Sequence, residues 1–129
     1  MNFDLIRPYK DEEIRPAMSR IGKAKEFYTA MQWLFPALTK EELKIKVDSI
    51  DSTYEFQQQF MHVGIRKIVE KTCDGLSSEG FEHIDPKQAY LYIANHRDIF
   101  LDSGLLQILL FEKAIDTTQI TFGLSLIHI

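Results

Sequence analysis

The seven residues from His96 to Asp102 hold a histidine and two aspartates, in the stretch NHRDIFLDSG. A histidine with a carboxylate partner is a ready general base, because the carboxylate fixes the tautomer and stabilises the imidazolium that forms when the ring takes a proton. Such a base contributes roughly 10²–10⁴ in rate. The same residues have a plain structural use. Asp98 and Asp102 can each cap a helix N-terminus, worth about 1 kcal/mol, with His96 serving only as a turn residue. Arg97, beside them, can contact an acidic substrate group or pair with Asp98. The other histidines have duller settings: His62 lies between Met61 and Val63 on an apolar helix face, His83 in a turn-rich linker and His128 in the C-terminal tail. The single cysteine, Cys73, rules out an internal disulfide and any multi-cysteine zinc site, and it fits a reducing compartment.

Three further chemistries are tested by spacing. A protein-kinase catalytic loop, H-R-D-L-x-x-x-N, needs asparagine where Ser103 stands, and no Gly-rich loop lies upstream. A nucleophile elbow, G-x-S-x-G, around Ser103 needs glycine at Leu101 and Leu105. A metal site drawn from His96, Asp98 and Asp102 has no second ligand cluster to complete it, so no metal is assigned.

The elements that must position these residues are read from periodicity. Residues 1–75 read as a helical region. Phe27, Ala30, Met31 and Leu34 recur at helical spacing until Pro36. Thr39 and Glu42 form a capping box, Leu38 and Leu43 sit at staple positions, and Leu43, Val47 and Ile50 mark a buried stripe. A second capping box, Ser52 and Glu55, opens a long amphipathic helix that ends before Gly75. One of its ridges is Phe56, Phe60 and Val63, flanked by Met61, Ile65 and Ile68. After the turn-rich GLSSEGFEHIDPKQ, the run Ala89 to Asn95 (AYLYIAN) predicts a buried strand. Leu105, Leu106, Leu109 and Leu110 predict a helix closing at Lys113, and Thr117 to Phe122 a second strand. Strand, turn, helix, strand is the start of a βαβ unit. The expected fold is therefore α/β: an N-terminal helical subdomain, then the first βαβ of a mainly parallel sheet, truncated because two strands make no stable sheet alone. His96 directly follows the predicted strand, and sites in open α/β sheets gather at the carboxyl ends of strands.

The block AYLYIANHRDIFLDSGLL resembles the first motif of the glycerolipid acyltransferases, the lysophosphatidic acid acyltransferase superfamily: a strand ending in Asn-His, a few residues, then Asp. FPALTKEEL and the YEFQQQF helix look like an N-terminal helical region of one bacterial branch, so the resemblance covers most of the chain, although only the block around His96 is diagnostic. It implies that His96 deprotonates a hydroxyl of glycerol phosphate or lysophosphatidate, and that Asp102 orients His96. The hydroxyl oxygen then attacks the thioester of acyl-CoA or acyl carrier protein. No cofactor is implied beyond that acyl donor, and Arg97 is the candidate substrate contact. The sequence departs from the family in two ways. The usual four residues between His and Asp are five here, Arg97 to Leu101, which leaves Asp98 as the competing partner. The later Gly/Arg-containing and Pro-Glu-Gly-Thr segments do not occur. The ending LSLIHI looks like the translation of a sequencing adapter. Residues 124–129 are therefore expected to be non-native, and residues 76–123 to be the start of the acyltransferase domain of a longer enzyme, inactive as a piece.

Length and charge bound the alternatives. The chain has 129 residues, a length that allows one domain and no more, and 45% hydrophobic content, enough for a packed core. Its net charge of −4 lacks the footprint of a general nucleic-acid binder. No apolar run approaches the roughly 20 residues that span a bilayer, and the N-terminus lacks a signal-peptide pattern. The expected location is cytoplasmic, with peripheral contact on the inner face of the cell membrane. Met31, Trp33, Leu34 and Phe35 could dip into that interface, or could pack onto the expected sheet or the Phe56 helix. The competing reading of the whole chain is a non-enzymatic helical interaction module.

Overall fold

The computed structural model describes residues 7–95, 97, 98 and 100–120. These residues form helices α1 (Asp11–Ile21), α2 (Lys25–Leu34), α3 (Lys40–Asp48), α4 (Thr53–Phe56), α5 (Val63–Thr72) and α6 (Leu101–Glu112), with a π-helical stretch Gln57–His62 joining α4 to α5 and a 3₁₀ turn at Phe81–His83. The chain divides into two compact units, one up to Lys67 and one from Ile68.

In the first unit, local chemistry sets the helix starts. Asp11, Glu12 and Glu13 fill the first turn of α1, where carboxylates complement the exposed N–H groups. Glu13 accepts the Lys10 N–H at 2.8 Å and a two-pronged contact from Arg7, both arms at 2.8 Å. The Arg7 guanidinium, followed by the Lys10 N–H, holds the Glu13 carboxyl down from the usual 4.5 to about 2. At α3 the Thr39 hydroxyl accepts the Glu42 N–H at 3.2 Å while Glu42 takes the Thr39 N–H at 2.8 Å, a complete capping box. The Thr39 N–H, then its hydroxyl, lowers the Glu42 carboxyl from its ordinary value. Ser52 accepts the Glu55 N–H at 3.2 Å, but the Glu55 carboxylate reaches past Ser52 to the Asp51 N–H at 2.7 Å. Asp11 in turn accepts the Thr53 N–H at 3.0 Å, which ties α1 to the start of α4.

These starts place the apolar stripes. Ile14, Met18, Val47, Ile50 and Phe60 form the core, with Ile21, Phe27, Met31, Phe35 and Phe56 packed against it. Leu43, Val47 and Ile50 lose all exposure, each burial worth about 1.5–3 kcal/mol. Phe60 is the hub: Phe56 stacks on it at 5.6 Å and Phe35 meets it edge-on at 5.7 Å. The predicted ridge Phe56–Phe60–Val63 changes course in the π-helical stretch. A π-turn adds one residue per turn, so the buried face runs Phe60, Ile65, Val69, and Val63 turns outward.

The second unit corrects the predicted fold class. Among the described residues there is no strand and no sheet, so the expected α/β fold with a βαβ unit gives way to a helical one. The run Ala89 to Asn95 is not a buried strand: Leu91 is 86% and Ile93 87% exposed. A strand stands only where neighbours bond its backbone and cover its faces, and none of the described residues does so here. At Thr117 to Ile120 the reason is more specific; the last two residues of that predicted strand lie outside the described residues. Thr118 gives its N–H to Gln107 Oε1 at 2.9 Å, and its carbonyl accepts Gln107 Nε2 at 2.9 Å. One side-chain amide on α6 thus takes the two bonds a neighbouring strand would have made.

The predicted helix near Leu105 is present as α6, with Ile108 and Leu110 buried. It ends in a Schellman motif: the Ala114 N–H bonds the Phe111 carbonyl at 3.1 Å and the Ile115 N–H the Leu110 carbonyl at 3.0 Å. That reversal forces Ala114 to φ 55°, in the left-handed region where glycine usually sits.

Candidate functional site

The site is built on the N-terminus of α6. Asp98 Oδ1 accepts the N–H groups of Phe100 at 2.8 Å and Leu101 at 2.6 Å, the donors that open the helix. One turn on, Asp102 reaches back, and its Oδ2 accepts the N–H of Asp98 at 2.8 Å and that of Arg97. Each aspartate therefore grips backbone beside the other, and the turn is closed from both sides. Asp98 thus serves donors at the helix entry, whereas Phe100 holds the N-cap position and Asp102, inside the first turn, accepts from backbone ahead of the helix instead of capping it. Asp102 is half-buried, while Asp98 and the side chain of Arg97 are exposed. His96 lies outside the described residues, as does Ile99. Of the candidate residues, the structure brings together Asp98, Asp102 and the backbone of Arg97.

Within the second unit a cavity of about 790 Å³ is lined by Tyr90, Tyr92, Asp98, Asp102, Leu106 and Ile120, among others. Its volume falls in the roughly 300–1,000 Å³ range of small-molecule sites. The tyrosine rings lie 6.2 Å apart, and the Tyr90 hydroxyl accepts the Asp85 N–H at 2.8 Å. The described lining also includes Asp85 and Asp116 but no lysine or arginine. It offers apolar and hydrogen-bonding surface and no cation to clamp a phosphate.

Sequence reasoning missed two contributors. Gln107 fixes the 115–120 wall through Thr118; its signal was a lone amide inside an otherwise apolar run, a residue type that needs partners when half-buried. Tyr90 braces the turn at Asp85, and its signal was hidden because the run around it reads as a strand. Elsewhere, His62 is half-buried on the π-helical stretch, and exposed His83 stands 3.4 Å from Glu82. Among the described residues no three His, Cys, Asp or Glu side chains gather as metal ligands would. The candidate interface cluster is mostly core: Leu34 is buried, Met31 packs against the core cluster and Phe35 meets Phe60. Only Trp33 is open, with Lys67 Nζ 5.1 Å over its ring and bonded to its carbonyl at 2.7 Å. No helix among the described residues is long and apolar enough to cross a membrane.

Compared with protein-family models, with curated proteins and with solved structures, the chain matches none.

Proposed function

We propose that the protein transfers a fatty acyl group from an acyl thioester, acyl-CoA or acyl carrier protein, to a hydroxyl of glycerol phosphate or lysophosphatidate. The observation that carries this reading is the block Asn95-His96 followed by Asp102 at the head of a helix. His96 takes the hydroxyl proton; the oxygen attacks the thioester carbonyl; the C–S bond breaks; and the leaving thiolate recovers the proton from the imidazolium. Asp102 is the orienting acid. Its bond to the Arg97 N–H, one residue along the chain from His96, supports that role. The cavity beside it has a mixed lining of apolar side chains and carboxylates, which repels a phosphate, and the acceptor's charge then falls to Arg97 outside the lining. The lipid substrates imply peripheral work at the inner face of the cell membrane, which co-sedimentation with phospholipid vesicles checks.

Acyl transfer from labelled palmitoyl-CoA to lysophosphatidate, measured in the protein expressed from its native open reading frame, tests the assignment. His96→Ala abolishes transfer, and retained activity would refute the base. Asp102→Asn lowers turnover by about 10²-fold or more, whereas Asp98→Asn changes it little; the opposite ranking moves the orienting role to Asp98. Both asparagine variants keep an oxygen for the capped N–H groups, so thermal melts near the parent's separate lost charge from lost fold. Asp98→Ala gives up the cap and costs about 1 kcal/mol.

The helical packing favours a second reading, a non-enzymatic interaction module, because the first unit has its own core and no strand stands among the described residues. That reading expects no acyl transfer by any form of the protein, together with sharp cooperative unfolding of a monomer.

A further inference from the structure

We draw no further inference here: the strongest candidate, the open apolar face of segment 89–95 where Leu91 and Ile93 stand beside the Tyr90–Tyr92 pair, is unpartnered, and nothing in the structure shows what covers it.

Discussion

A carboxylate's neighbours decide what it contributes, and Glu13 on one side and Asp98 and Asp102 on the other show two outcomes of that rule. Glu13 is gripped by Arg7 and by the Lys10 N–H, so its charged form is favoured in the fold. Its carboxyl sits at about 2, against the usual 4.5 that an unfolded chain shows. A depressed folded value means that the contribution is complete above pH 4.5 and fades as pH falls toward 2. Melting curves of the parent and Glu13→Gln across that window check the sign: the parent's advantage is constant in the upper range and disappears at the acid end. An advantage that grows on acidification would contradict the Arg7 contact. Asp98 and Asp102 satisfy backbone donors at the start of α6. The sequence showed both as capping candidates because an aspartate ahead of an apolar run is a local signal. It did not show that each would bond backbone beside the other, because that depends on the two being brought together across one turn.

Helices are legible in a sequence to the extent that local bonds fix their ends. The box of Thr39 and Glu42 and the stripe of Leu43, Val47 and Ile50 are both present because each needs only neighbours within a turn or two. The π-helical stretch was not legible. The residues from Thr53 onward satisfy an ordinary α-helical pattern, and only packing on Phe60 selects the five-residue step to Ile65. Deleting Met61, which is mostly out of the core, brings Phe60 and Ile65 to an i, i+4 spacing. The shortened helix keeps its stability within about 1 kcal/mol. Deleting Lys44 instead breaks the α3 stripe and costs about 2–5 kcal/mol. Comparable losses in the two deletions, read by chemical denaturation, would show that the π-helical step is not where the extra residue sits. At the other end of the chain, Ala114 occupies a left-handed position that a Cβ disfavours. Ala114→Gly stabilises α6 by about 1 kcal/mol, seen as a higher denaturant midpoint; a lower midpoint would mean that the reversal is not held at this residue.

For the molecule as a whole, what the sequence misjudged was long-range. AYLYIAN carries strand propensity, yet a strand is a relation between segments, and the described chain supplies no partner for it. The Thr117 to Ile120 stretch shows how such a segment settles otherwise, through one glutamine amide. The candidate site inherits this division. Its capped turn follows from nearby residues, whereas the wall of its cavity depends on Gln107 reaching eleven positions along the chain. The open Leu91 and Ile93 also govern how the protein behaves at the bench. Bare aliphatic groups at a surface make molecules stick to one another as they crowd, so turbidity is expected early on concentration. Leu91→Lys with Ile93→Lys keeps the sample clear to several-fold higher concentration by light scattering, with the melting point unchanged; haze at the parent's threshold would place the stickiness elsewhere.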